Sequence, residues 1–131
     1  MTPGTLLTPF VVEAVSPGAM REWSVFLADP NPIHLDAEAV RAAGLGDRPI
    51  NQGPANLAYL INLLSLNFPE MDIVTLETRF NGNVFAGDRC VAGGHVIEVG
   101  ETGVRCEIWL DVDGGGRAVS ANASVRKRAR P

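Results

Sequence analysis

The stretch Ala28-Asp29-Pro30-Asn31-Pro32-Ile33-His34-Leu35-Asp36 sets a carboxylate and an imidazole five residues apart on a loop stiffened by two prolines. A general acid–base pair needs two such groups at a fixed separation, with proton affinities that burial and mutual charge can tune. Proline on either side of Asn31 lowers the entropy lost in holding that geometry. The plainer reading is that Asp29 caps the preceding turn and His34 is a hydrogen-bonded loop histidine. Residue types and spacing alone leave both open.

Other chemistry-bearing residues point nowhere as specific. His95 sits in the strand pattern Gly94-His95-Val96-Ile97 and reads as a strand histidine. His34, His95, Cys90 and Cys106 show no metal-ligand spacing, so no metal is expected. The two cysteines fall in adjacent expected strands and read as buried free thiols. Glycines 114–116 make a turn, with nothing resembling a phosphate-cradling loop before a helix.

The elements that must hold the Asp29–His34 loop can be read on either side of it. Phe10-Val11-Val12 reads as a short strand. Ser16 caps a helix that Pro17 opens, and Met20, Trp23, Phe26 and Leu27 recur at helical spacing, so an amphipathic helix over 17–27 is expected. Asp29-Pro30-Asn31-Pro32 breaks it. A second helix is expected over 37–43, capped by Asp36 and stopped by Gly44. From Pro54 to Asn67 the chain is apolar nearly all round, which marks a helix buried on most of its surface and ended by Phe68-Pro69. Strands follow at 73–80, 88–99, 104–112 and 118–125, with Gly100-Glu101-Thr102-Gly103 and Asp113-Gly114-Gly115-Gly116 as hairpin connections. Within 104–112, Val104, Cys106, Ile108, Leu110 and Val112 alternate with Arg105, Glu107, Trp109 and Asp111, the pattern of a half-buried antiparallel strand. A long buried helix followed by antiparallel strands is α+β, and the economical packing wraps the sheet around the helix, the hot-dog arrangement.

At 131 residues, with 46% hydrophobic and 20% charged side chains, the chain suits one packed domain spanning 1–131. Its net charge of −4 hides a split: residues 1–125 carry seven basic side chains against 15 acidic ones, a net −8, while Arg126, Lys127, Arg128 and Arg130 crowd the end. So acidic a body is a poor binder of phosphate backbones, which argues against nucleic acid as a partner. The longest apolar tract, Leu57–Leu66, is too short for a bilayer, and no secretory pattern opens the sequence, so a cytoplasmic protein with no membrane partner is expected. Residues 126–131 read as a basic, frayed tail.

The loop string resembles the hydratase signature D-x-N-P-[IL]-H-x-D of the MaoC-like enoyl-CoA hydratase/dehydratase family, with Asp29, Asn31, Pro32, Ile33, His34 and Asp36 at its fixed positions. Arg48-Pro49-Ile50-Asn51-Gln52-Gly53 is similar to the P-I-x-H-G element that opens the family's central helix. The stretch Arg79–Asp88 is similar to its R-F-x-x-P-V-x-x-G-D strand and turn.

That resemblance implies a single hot-dog domain and a lyase that hydrates the 2,3 double bond of an enoyl thioester, or dehydrates a 3-hydroxyacyl thioester of the R series. Asp29 and His34 would hold the water, one accepting a proton while the other delivers one to C2. The Gly53 N–H would steady the charge on the thioester oxygen, a role that a helix N-terminus suits on its own account. Asn31 would brace the loop beside the substrate, Asn51 and Gln52 would contact the acyl group, and Asp36 reads as a helix cap. No cofactor is implied; the substrate is a CoA or acyl-carrier thioester. A solvated, frayed terminus is the default reading of the tail, and the sharper one is that the tail, or Arg41, Arg48 and Arg79, meets the CoA phosphates. The chain departs from the pattern at Ala28, where Gly is frequent, at Gln52, which replaces a His, at Asn83, which replaces a Pro, and at Ile61, where some relatives carry a Ser. Folds of this kind pair sheet to sheet, so at least a homodimer is expected. The alternatives are a hot-dog thioesterase, which the absence of Asp and Glu from 54–67 opposes, and a non-catalytic thioester-binding partner subunit.

Overall fold

The computed structural model describes residues 1–129. Its order is β1 (Phe10–Val12), α1 (Pro17–Phe26), a 3-10 turn (Pro32–His34), α2 (Ala37–Ala42), α3 (Gly53–Asn67), β2 (Met71–Phe80), β3 (Cys90–Val99), β4 (Gly103–Val112) and β5 (Gly116–Lys127). The five strands form one antiparallel sheet in the order β1-β3-β4-β5-β2, so β1 and β2 are its edges. The architecture is α+β in one domain.

Alternation along the strands decides which face is covered. Cys106, Ile108 and Leu110 of β4 and Val119, Ala121, Ala123 and Val125 of β5 are buried against Leu60, Leu63 and Leu64 of α3 in a single core. The intervening residues form an outer face of cross-strand rows, among them Arg79–Ser120–Trp109 and Glu77–Asn122–Glu107–His95. Asn67 fastens the far end of α3 by accepting from the Thr8 N–H at 2.8 Å and donating to the Thr8 carbonyl at 2.9 Å.

Three expectations need correction. The apolar stripe of α1 is covered only in part: Met20 is buried, Trp23 and Leu27 are half-buried and Phe26 is 81% exposed, while the polar Ser24 is buried. Ser24 lies one turn after Met20 on the face toward the core, where a partner in the 50–53 segment reaches it. Helix α3 is less covered than a helix buried on most of its surface: Ala55, Asn56, Leu60, Leu63 and Leu64 are buried, while Ile61 and Leu66 reach solvent. The basic tail does not begin with fraying: Arg126 and Lys127 are paired with Asp72 and Met71 of β2, and Arg128 Nε donates to Asp72 at 2.9 Å. Strand pairing and charge complementarity hold the chain to that point; Arg130 lies outside the described residues. Among the described residues no helix is long and apolar enough to cross a membrane.

Candidate active site

The loop between α1 and α2 is set by short-range capping. Ser16 Oγ accepts the Ala19 N–H at 3.2 Å at the start of α1, and Asp36 Oδ1 accepts the Glu38 N–H at 2.9 Å at the start of α2. Between them, Asn31 donates its N–H to Asp29 Oδ1 at 3.1 Å and accepts the Ile33 N–H on its own Oδ1 at 3.3 Å. Asn31 therefore braces the loop. Ala28 is the only described residue other than glycine at positive φ (+51°), so the backbone turns sharply into Asp29 through a conformation that costs a residue with a Cβ.

His34 is oriented from the opposite side. The Ile50 N–H donates to the Ile33 carbonyl at 2.8 Å, and the Ile50 carbonyl lies 2.7 Å from His34 Nδ1. A carbonyl oxygen can only accept, so Nδ1 carries the proton and Nε2 of the neutral ring presents a lone pair. Nε2 faces Asp29 Oδ2 across 3.6 Å, with the imidazole 12% and the carboxylate 42% exposed. The gap is longer than a hydrogen bond and suits a water in contact with both atoms. The two facing atoms are also the two left over, because Oδ1 is taken by Asn31 and Nδ1 by Ile50.

The same 48–53 segment delivers the start of α3. It is sewn to the turn before β3 by Asn51 N–H to Val84 carbonyl (2.7 Å), Ala86 N–H to Pro49 carbonyl (2.8 Å) and Arg48 Nη1 to both the Ala86 carbonyl and Asp88 Oδ1 (2.9 Å each). Arg48 thus holds this turn through Nη1, and Arg41 pairs with Glu38. In the first turn of α3, Pro54 has no N–H, and Ala55 and Asn56 both donate to the Gln52 carbonyl. That leaves the Gly53 N–H as the one donor of the turn with no acceptor among the described residues.

Asn51 and Gln52 are placed otherwise than a pair of acyl contacts would be. Asn51 is 4% exposed, and its amide donates to Asn56 Oδ1 at 2.8 Å and Tyr59 Oη at 3.4 Å. Gln52 is 1% exposed, and its Nε2 donates to the Met20 carbonyl at 2.8 Å and to Ser24 Oγ at 3.1 Å. Ser24, Asn56 and Tyr59 are members of this polar interior that sequence reasoning missed. The available signal was Asn56, an amide in the otherwise apolar first turn of α3. Burial pushes the Tyr59 phenol above its ordinary pKa, against a smaller opposite effect of its hydrogen bond with Asn51. No group of three or more His, Cys, Asp or Glu is arranged for a metal among the described residues.

No family model matches the chain, and no curated protein sequence matches it. Solved structures do. An (R)-hydratase from A. caviae involved in PHA biosynthesis superposes with a TM-score of 0.88 at 21% identity, over 98% of each chain. A MaoC-like dehydratase from Rhodospirillum rubrum gives 0.80 at 20% identity, covering 100% of this chain and 95% of that one. A chain of the ChsH1–ChsH2 complex from Mycobacterium tuberculosis gives 0.85 at 16%, covering 98% and 99%. The protein therefore has the hot-dog fold in the form that (R)-hydratases and MaoC-like dehydratases take.

Proposed function

We propose that the protein is a hydratase/dehydratase of acyl thioesters. The observation that carries this reading is the pair of unspent atoms, Asp29 Oδ2 and His34 Nε2, held 3.6 Å apart at a place where a water can touch both. In the hydration direction the pair takes one proton from that water as its oxygen bonds to C3 of an enoyl thioester. It returns one proton to C2, so water is added and the pair ends as it began. Between the two events, negative charge moves onto the thioester oxygen, where the Gly53 N–H and the positive end of α3 oppose it. Water is the only co-reactant, so the reaction calls for no resident cofactor or metal. The thioester carrier is CoA or an acyl-carrier protein.

The absence of any carboxylate on α3 favours this reading over a thioesterase that draws its acid from the central helix. Similarity to (R)-hydratases in fold supports it without assigning the acyl group.

Assembly belongs to the same proposal. Among the described residues no strand lies beside the outer edge of β2, and Ile73, Val74 and Phe80 on that strand are 39%, 51% and 53% exposed. A Cβ on Gly53 would lie 3.7 Å from the Phe80 ring, so this open edge ends beside the oxyanion donor. A second copy laid along it would wall the thioester pocket.

The test is to incubate the protein with crotonyl-CoA and longer enoyl-CoAs and follow the loss of enoyl absorbance. Conversion to the 3-hydroxyacyl thioester is expected; no turnover at any chain length would overturn the proposal. Sedimentation should give a dimer.

A further inference from the structure

Among the described residues, Gln52 alone has a buried side-chain atom that no partner reaches, its Oε1. An interior acceptor without a donor is destabilising, so stability alone does not account for an amide at this position. Turning the amide over is no remedy, since it would set Oε1 2.8 Å from the Met20 carbonyl oxygen, acceptor against acceptor. The side chain is thus committed to the direction in which its Nε2 serves both Met20 and Ser24.

Those two bonds lead on to the Asp29–His34 loop. The Ser24 carbonyl accepts the Asp29 N–H at 2.9 Å, so the residue that Gln52 grips also sets the backbone of the candidate carboxylate. On its main-chain side Gln52 precedes Gly53, and its carbonyl takes the Ala55 and Asn56 N–H groups at 3.0 and 3.1 Å, which leaves the Gly53 N–H available. No other side-chain hydrogen bond joins residues 50–53 to α1 among the described residues. The geometry points to Gln52 as a positioning residue that fixes the separation between the Asp29 carboxylate and the Gly53 N–H. The inference rests on the hydratase reading, in which those two groups act on opposite ends of one reacting system. Misplacement of either by a fraction of an ångström lowers turnover more than it lowers binding.

The experiment compares Gln52→Met, which keeps the length and loses the donors, with Ser24→Ala and the double variant. Each is assayed with crotonyl-CoA and by hydrogen exchange at the Asp29 amide. Gln52→Met is expected to melt cooperatively and to lose about tenfold in kcat with KM nearly unchanged. Ser24→Ala should lose less, and the double variant no more than Gln52→Met alone, because both changes cut one link. The Asp29 amide should exchange faster in all three. Unchanged kcat in a folded Gln52→Met, losses that multiply in the double variant, or unaltered Asp29 exchange would each overturn the inference. If Gln52→Met does not fold, Ser24→Ala decides by the same two readouts. If the wild-type protein shows no turnover, the hydratase reading fails, and the exchange rate still decides whether Gln52 holds the Asp29 loop.

Discussion

His34 Nδ1 lies 2.7 Å from the Ile50 carbonyl oxygen, and this contact selects the ring nitrogen that faces Asp29. In the neutral ring, fixing the proton on Nδ1 makes Nε2 an acceptor, and Asn31 likewise reserves one carboxylate oxygen of Asp29. Replacing either partner should therefore remove chemistry. Asp29→Asn and His34→Ala are each expected to lower kcat by about 10²–10⁴ in the enoyl-CoA absorbance assay, with a thermal midpoint close to wild type for Asp29→Asn and a lower one for His34→Ala, which also cuts the bond to Ile50. The double variant should be little worse than the more damaged single one, because the two residues act on one water. Retention of wild-type turnover in both single variants would reassign the site.

At the other end of the reacting system, one backbone hydrogen can be removed without touching a side chain. Gln52 has φ −65° and ψ 144°, the backbone that precedes a proline comfortably, and position 53 is the first of the helix, where proline is tolerated. Gly53→Pro deletes the N–H, whereas Gly53→Ala keeps it and adds a Cβ only 3.7 Å from the Phe80 ring, an ordinary contact. The proline variant is expected to lose about 10²–10³ in kcat and the alanine variant less than threefold. Equal losses in the two would mean that the space, not the donor, matters at this position.

The parts of this site that sequence exposes are those built from neighbours in the chain. Asp29, Asn31 and Asp36 make their defining hydrogen bonds to residues two positions away, so residue types and prolines suffice to read the loop. The elements of the fold were legible for a similar reason, since caps, glycine turns and strand alternation are local. Gln52 was read as an acyl contact because its partners, Met20 and Ser24, lie 32 and 28 residues away. The apolar stripe of α1 holds only in part on the same ground, with Met20 buried and Trp23 half-buried. An aromatic stripe is the natural candidate for burial, but the segment that packs on α1 offers an amide to Ser24. Phe26 is left outside, 81% exposed. The tail was misjudged because its charges suggested solvent, while β2 supplied both a strand to pair with and Asp72 to meet Arg128.

Ala28 sits at φ +51° directly before Asp29, where a Cβ costs about 1–2 kcal/mol. Glycine relieves that cost but gives the unfolded chain about 0.4–1 kcal/mol more entropy to lose. Ala28→Gly is accordingly expected to raise stability by about 0.5 kcal/mol in urea unfolding. Ala28→Val, with a branched Cβ in the same conformation, should lower it and reduce turnover through the displaced Asp29. A stability loss in the glycine variant would show that the turn is not strained.

Two adjacent glycines in β3 should respond very differently to the same change. A Cβ on Gly94 would lie 2.6 Å from both the Glu107 carbonyl oxygen and Ile108 Cγ2, inside β4, where backbone cannot yield without breaking the ladder. Gly94→Ala is expected to cost about 3 kcal/mol. On Gly93 the nearest atom is Nε1 of Trp109 at 3.0 Å, on the outer face, where the indole can shift although Arg117 stacks over its ring at 4.2 Å. Gly93→Ala should cost about 1 kcal/mol. Chemical denaturation of both variants measures the difference, and equal losses would contradict the assignment of Gly94 to the crowded face.

The alkaline limb of stability should be set first by the two buried thiols. Burial pushes Cys90 from 9.0 up to about 11, with Asp88 and Asp113 adding to the shift, and burial alone does the same for Cys106. Between pH 9 and 11 the unfolded chain has lost protons that the folded protein still holds. Stability therefore falls as pH rises through that window, by up to about 3 kcal/mol per thiol, and is insensitive to these groups below it. Tyr59, with its phenol also pushed up from 10.0 by burial, adds a fall of the same sign only at the upper end. Below pH 10 the slope belongs to the thiols. Urea unfolding at half-unit steps from pH 8 to 10 should show stability declining in the wild-type protein and nearly level in Cys90→Ala/Cys106→Ala. A slope unchanged by the double substitution would move the alkaline sensitivity to other groups.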